Sequence, residues 1–148
     1  MADAKRRLIW YGVLLFLLGL ITGLMEAKFS NPRMGLAAHL EGLMNGIFLI
    51  AVGAIWEQVR LSSTLETATF WTAIFGCYAN WFTTTLAAIF GTSALSPITA
   101  AGHEGTIWQE WIVTIGFSIV GLTIIAASIL LLWGLRRVVA VKDIKQTR

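Results

Sequence analysis

The residues of this chain that could do chemistry lie close together in one apolar stretch, residues 35–56 (GLAAHLEGLMNGIFLIAVGAIW). Before Trp56, its polar side chains are His39, Glu41 and Asn45. The stretch is long and apolar enough to cross a bilayer, and ionisable groups inside a membrane are rare and usually mark a functional site. A neutral imidazole is also well suited to hold a metal in an apolar cavity. His39 is therefore the first candidate metal ligand.

Three glycines share a helical face with His39. Gly42 lies about 60° from His39 around the helix, Gly46 about 20° and Gly53 about 40°, all on the same side. Gly42-xxx-Gly46 is a small-xxx-small pair, which is typical of close helix packing. A face without side chains beside a histidine also suits a flat ligand, such as a porphyrin bound through His39. Both interpretations stay open, and Gly42 and Gly46 are candidate cofactor-binding residues.

A second polar face accompanies this one. Glu41 and Asn45 are spaced i, i+4 and neighbour each other, and Asn45 lies about 60° from Gly42 around the helix. An amide there could orient a bound substrate, or it could form an interhelical hydrogen bond. Glu41 could line the substrate pocket, reach the headgroups or pair with Arg33.

The stretch CYANWFTTTLAA adds three more candidates, Tyr78, Asn80 and Thr84. Asn80 and Thr84 are spaced i, i+4 and share a face. Threonines in apolar helices often return their hydroxyl to the preceding turn of backbone, whereas the Asn80 amide needs partners at that depth. Asn80 is therefore a candidate for the substrate pocket.

The number of buried histidines limits how a haem iron could be coordinated. Only His39 lies deep enough to ligate a buried haem, because His103 and Glu104 fall in a long polar loop, where they are solvated or else cap the cavity or bind metal. A bis-histidine cytochrome needs two histidines per haem. The count favours a five-coordinate iron with an open position, which would act as a Lewis acid or bind a ligand rather than merely pass electrons.

The elements that position these residues follow from composition. The chain has 148 residues, 57% hydrophobic and 13% charged, which leaves room for about four spans and no extramembrane domain. Continuous apolar runs favour helices over a barrel. We expect an all-α, four-helix transmembrane bundle forming a single domain, with spans at about 8–25, 34–56, 65–90 and 108–135. Tryptophans near the span ends, Trp56 among them, are typical of an aromatic belt at the membrane–water interfaces.

Charge predicts the topology. Three of the 11 basic residues precede the first span and five follow the last, namely Arg136, Arg137, Lys142, Lys145 and Arg148. The positive-inside rule puts both termini in the cytoplasm. Basic ends beside spans are what topology alone requires, so we expect a lipid bilayer and no nucleic acid as partner.

Residues 31–56 (NPRMGLAAHLEGLMNGIFLIAVGAIW) closely resemble the corresponding span of the hydroxylaminobenzene mutase family of small bacterial membrane proteins. The resemblance continues through LETATFWTAIFGCYANW, GTSALSPITAAGHEG and WGLRR, and so covers most of the chain. The His-x5-Asn-Gly pattern from His39 to Gly46 is also similar to styrene oxide isomerase.

This resemblance implies an isomerase in the bacterial inner membrane that converts an aryl hydroxylamine, a small apolar aromatic substrate, to an aminophenol. It implies a homotrimer with haem b between subunits, His39 as the axial ligand of iron and Asn45 as a substrate-orienting amide. The isomerase has a tyrosine four residues after its Ala-Asn pair, where this chain has Thr84. Thr84 or Tyr78 would then supply the catalytic hydroxyl, unless that role is absent.

Other functions remain open from the residues alone. Glu41, Asn45 and Asn80 could line the path of a small four-helix transporter or channel. The chain could also be an epoxide isomerase, or a non-catalytic membrane subunit that binds haem or quinone.

Overall fold

The computed structural model describes residues 2–136. Four long helices are each apolar enough to cross a membrane, which confirms the all-α prediction. They are α1 (Ala2–Met25), α2 (Pro32–Ile55), α3 (Ser63–Phe90) and α5 (Ile107–Arg136), and α4 (Pro97–Ala100) is a single turn in the connection before α5. Short 3-10 turns, Glu26–Lys28 and Trp56–Gln58, follow α1 and α2.

The helix ends follow from local chemistry. The Asn31 side chain accepts a hydrogen bond from the Met34 N–H and so caps α2, with Pro32 in the first turn. Helix α3 ends at Gly91, whose φ of 68° is left-handed. Helix α1 begins six residues before the predicted span, because the basic residues 5–7 continue the helix as polar turns beyond its apolar part.

The long helices pack as a row rather than as a closed ring. Helix α2 lies between α1 and α3, and α1 also touches α3. Helix α5 packs along α3, and in the described chain it has no comparable contact with α1 or α2. Because α1 and α2 make the closest pair, the surroundings of His39 are decided by α1.

Three segments meet at one end of the row. Lys5 forms an ion pair with Glu57 at 3.0 Å, and the Arg60 N–H donates to the Gly134 carbonyl at 3.1 Å. The start of α1, the α2–α3 connection and the end of α5 therefore share one side, as an even number of spans requires. Residues 137–148, with four of the C-terminal basic residues, lie outside the described part, and the cytoplasmic orientation stays a prediction.

Trp56 does not belong to an aromatic belt. Its side chain is only 2% exposed, its indole N–H donates to the Glu66 carboxylate at 3.2 Å, and its ring packs edge-on against Phe70. That expectation is wrong because the chain turns back at this residue and α3 covers it. By contrast, Trp10, Trp108, Trp111 and Trp133 are more than half exposed.

Candidate active site on helix α2

His39 projects from α2 against α1. Its Nδ1 lies 2.8 Å from the carbonyl oxygen of Gly19, and a Cβ at Gly23 would fall 2.5 Å from the same nitrogen. A neutral imidazole in this pose donates its Nδ1–H to Gly19, which leaves the lone pair on Nε2. Within the described residues Nε2 has no hydrogen-bond partner, and it is not among the enclosed unpartnered atoms.

This pose suits an imidazole that binds metal. Metal-ligating histidines commonly donate their other ring N–H to a backbone carbonyl, which fixes the tautomer and orients the ring. Residues 2–136 hold no cluster of three or more His, Cys, Asp or Glu side chains that could hold a metal ion, so a metal here would need ligands from outside such a cluster. A single imidazole fits an iron whose other ligands come from a macrocycle, and haem b therefore fits the donor set.

The glycine stripe does not leave an open face. A Cβ at Gly42 would lie 2.5 Å from the Cα of Gly19, and a Cβ at Gly46 would lie 2.8 Å from the carbonyl oxygen of Gly12. Helix α1 thus occupies the surface that the sequence left open for a flat ligand. The helix-packing interpretation is confirmed, and the expectation that Gly42 and Gly46 cradle a porphyrin is wrong, because two backbones in contact leave no gap.

A hydrogen-bonded cluster of Glu41, Asn45 and Asn80 joins α2 to α3. The amide nitrogen of Asn45 donates to Glu41 Oε2 at 3.0 Å, and that of Asn80 donates to the same oxygen at 2.6 Å. The i, i+4 contact on α2 is therefore confirmed, and the Asn80 amide has the partner that its depth requires. The described residues contain no ion pair between Glu41 and Arg33.

Within this cluster, Glu41 and Asn80 are half-buried and Asn45 is buried. Asn45 is only 8% exposed, and its NH2 group is engaged by Glu41, whereas Glu41 is half-buried. The Oε1 atom of Glu41 has no hydrogen-bond partner among the described residues and is not enclosed. The cluster therefore presents a carboxylate oxygen, with the Asn45 amide holding it in place.

His39 and the cluster lie on opposite flanks of one apolar surface. Two residues along a helix correspond to about 200° of rotation, so His39 sits beside α1 and Glu41 beside α3. The surface between them faces outward and is formed by Leu36, Leu40, Met44 and Ile47, each 46–56% exposed. We call it the α2 outer face. No hydrogen bond in the described chain joins His39 to the cluster.

The hydroxyls of Thr84 and Tyr78 have backbone partners. Thr84 donates to the Asn80 carbonyl of its own helix at 2.9 Å, the return bond expected of a threonine in an apolar helix. Tyr78 donates to the Tyr11 carbonyl on α1 at 2.8 Å. Tyr78 also lines an open groove of about 440 Å³ between α3 and α5, whose other walls are Phe75, Ala79, Trp81, Phe82, Thr83, Gly116 and Ile119.

Glu110 is an organising residue that the sequence analysis missed. Its carboxylate accepts backbone N–H bonds from Ser93 at 2.9 Å, Ala94 at 2.8 Å and Gly105 at 2.8 Å. It thereby fastens both ends of the connection between α3 and α5. An acidic residue in the first turn of a span, directly after a long loop, was the available signal.

His103 and Glu104 do not reach the candidate site. Both side chains are exposed, and the described hydrogen bonds of His103 are local, with its Nδ1 donating to the Ala100 carbonyl at 2.9 Å. They belong to the solvated surface of the α3–α5 connection.

Comparison with known proteins agrees with the sequence resemblance. A family model described as styrene oxide isomerase matches residues 4–136. Hydroxylaminobenzene mutase HabB of Ectopseudomonas oleovorans is 43% identical over 136 residues, covering 91% of this chain and 83% of the relative. Hydroxylaminobenzene mutase HabA of the same organism is 46% identical over 128 residues, covering 85% of this chain and 94% of the relative. No solved structure matches the chain significantly.

Proposed function

The chain belongs to the styrene oxide isomerase family and is an isomerase of the mutase type, and on that premise we propose that it rearranges an aryl hydroxylamine to an aminophenol within the membrane. The hydroxyl group would move from nitrogen to the adjacent ring carbon. Two relatives at 43% and 46% identity carry the name hydroxylaminobenzene mutase, and this supports the substrate class. Their activity also sets the transporter alternative aside.

We further propose that the enzyme uses haem b, held through His39. The observation that carries this proposal is the bond from His39 Nδ1–H to the Gly19 carbonyl at 2.8 Å, which leaves Nε2 as a free donor in an apolar setting. When bound, haem would supply a Lewis-acidic iron that polarises the N–O bond of the substrate. His39 is the residue that would hold it, with Gly19 fixing the tautomer.

The α2 outer face is proposed as the place of reaction. Its side chains are aliphatic or thioether, so they exclude water that would otherwise capture a cationic reaction intermediate. His39 lies on one flank of this face and Glu41 on the other. Asn45 and Asn80 position Glu41 from two different helices, and apolar aromatic substrates would enter laterally from the bilayer.

Neighbouring copies of the chain would complete this site. Within the described residues of one chain the α2 outer face is uncovered, since its four apolar residues are 46–56% exposed. A homotrimer with haem between subunits would enclose both the cofactor and the substrate. The bacterial inner membrane is the proposed location.

The test uses protein purified in detergent and supplied with phenylhydroxylamine. We expect a Soret absorption band and formation of 2-aminophenol, with both lost in His39→Ala. His103→Ala is the matched control, since it removes the other histidine of the chain and should leave both unchanged.

Two outcomes would contradict this proposal in different ways. Full turnover by colourless, iron-free protein would overturn the haem dependence alone. If styrene oxide is isomerised and phenylhydroxylamine is not, the substrate class is wrong and the epoxide alternative holds.

A further inference from the structure

The Glu41 carboxylate has one oxygen that the fold engages and one that it leaves free. Asn45 and Asn80 both donate to Oε2, from α2 and α3 respectively. An oxygen that accepts from two amides has no room for a proton of its own, so any proton that Glu41 carries sits on Oε1. Oε1 has no hydrogen-bond partner in the described residues and is not enclosed, and the residue flanks the α2 outer face.

We propose that Glu41 is the proton carrier of the rearrangement, taking a proton from the ring carbon that receives the oxygen and delivering it to the nitrogen. This inference rests on the proposed function, and it assigns a catalytic role to a residue that would touch the substrate. It adds a proton-transfer step to the oxygen transfer.

The reaction requires such a transfer for its atoms to balance. The N–O bond breaks, and a C–O bond forms at the ring carbon next to the one that bears nitrogen. That carbon then holds both hydrogen and hydroxyl, and the neighbouring carbon is double-bonded to nitrogen. The C–H bond breaks, its electron pair restores the aromatic ring, and the nitrogen gains one proton. The net change is one proton moved from carbon to nitrogen, without oxidant or reductant.

The position of Glu41 suits both halves of this step. The carbon that loses the proton and the nitrogen that gains it are attached to the same ring atom, so one carboxylate oxygen reaches both without moving. The two amide bonds hold the carboxylate from two helices, which limits its motion between pick-up and delivery. A positioned carboxylate of this kind typically contributes about 100-fold to 10,000-fold to a proton-transfer step.

Other ionisable side chains at this depth are already engaged. His39 uses Nδ1 on Gly19, and its Nε2 is assigned to the cofactor. Tyr78 donates its hydroxyl to the Tyr11 carbonyl, and Cys77 is fully buried. Among the described groups that flank the α2 outer face, Glu41 keeps a free acceptor atom when Nε2 of His39 is given to the cofactor.

The test is Glu41→Gln, assayed with phenylhydroxylamine and with the same substrate deuterated at both ortho carbons. Glutamine keeps an oxygen for the two amides, so the Soret band should match that of the wild-type protein. We expect 2-aminophenol formation to fall about 100-fold or more, with a larger deuterium isotope effect than in wild type, because breaking the C–H bond becomes the slow step. Glu41→Asp should keep part of the rate, since it retains a carboxylate. Glu104→Gln, an exposed loop carboxylate, is the matched control and should behave as wild type.

Two results would overturn this role alone. One is a Glu41→Gln variant that keeps the wild-type rate. The other is a slowed variant whose deuterium isotope effect does not increase. In that case C–H bond breaking has not become the slow step, and the loss of rate comes from a change in structure. Failure of the wild-type protein to form 2-aminophenol would instead overturn the proposed function, and this role with it.

Discussion

The imidazole of His39 and the carbonyl of Gly19 are joined across the α1–α2 contact, with 2.8 Å between Nδ1 and the oxygen. The ring fits there because α1 carries glycine at the point of contact, and Gly23 lies directly against it. The ring orientation therefore depends on a neighbouring helix.

Gly23→Ala should displace the imidazole, because the new Cβ would stand 2.5 Å from Nδ1. We expect haem binding to weaken about 10-fold or more, the range seen when a metal-bound histidine loses its hydrogen-bond partner. Titration of the apoprotein with haem, followed at the Soret band, measures this. Gly121→Ala is the matched control, because a Cβ there meets no atom within 4 Å. Equal haem affinities in Gly23→Ala and Gly121→Ala would show that haem binding does not depend on the packing of the His39 ring against α1.

Gly42→Ala should separate α1 from α2. Its Cβ would lie 2.5 Å from the Cα of Gly19, and backbone cannot yield as a flexible side chain does. Overpacking of this kind costs about 1–3 kcal/mol in the free energy of unfolding. The measurement is the melting temperature in detergent of Gly42→Ala, compared with that of Gly121→Ala. Identical melting temperatures would mean that the close helix contact is not needed for stability.

Asn45→Ala should slow turnover while leaving the haem spectrum unchanged. Glu41 would then be held by Asn80 alone, and a hydrogen bond to a charged group is worth about 1.5–3 kcal/mol. We expect a fall in kcat of about 10-fold to 100-fold, measured as initial rates of aminophenol formation. If Asn45→Ala keeps the full rate, the amide has no part in positioning the carboxylate.

Thr84→Val should have a small effect. The Thr84 hydroxyl donates to the Asn80 carbonyl within the same helix, and the loss of such a bond changes stability by about 1 kcal/mol. Thr85→Val is the matched comparison, because that hydroxyl donates to the Trp81 carbonyl at 2.8 Å in the same manner. Similar rates in both variants are expected. A drop of about 100-fold in Thr84→Val alone would instead place its hydroxyl on the substrate.

Glu110→Ala should loosen the connection between α3 and α5. Three backbone N–H groups lose their acceptor, and we expect a loss of about 1.5–3 kcal/mol in stability. Limited proteolysis of the protein in liposomes would detect new cleavage within residues 91–106. Glu104→Ala changes an exposed carboxylate of the same connection and should leave it resistant. Equal resistance of the two variants would show that Glu110 does not fasten this segment.

Several parts of the site could be predicted from sequence because they lie within one helix. The apolar runs predict the four spans, since a helix satisfies its own backbone groups in lipid. The i, i+4 spacing predicts the contact between Glu41 and Asn45, which needs no knowledge of other helices. Fixed helical geometry also puts Gly42 and Gly46 on one stripe, and it identifies them as small residues suited to close contact.

What covers each helical face was decided by tertiary structure alone. A helical wheel gives the angles between side chains and says nothing about which neighbour stands opposite. The glycine stripe therefore suited a porphyrin or a second helix equally well until α1 was found against Gly42 and Gly46. For the same reason, the partners of His39, Asn80 and Glu110 could not be read from the chain, because Gly19, Glu41 and Ser93 lie 20, 39 and 17 residues away from them.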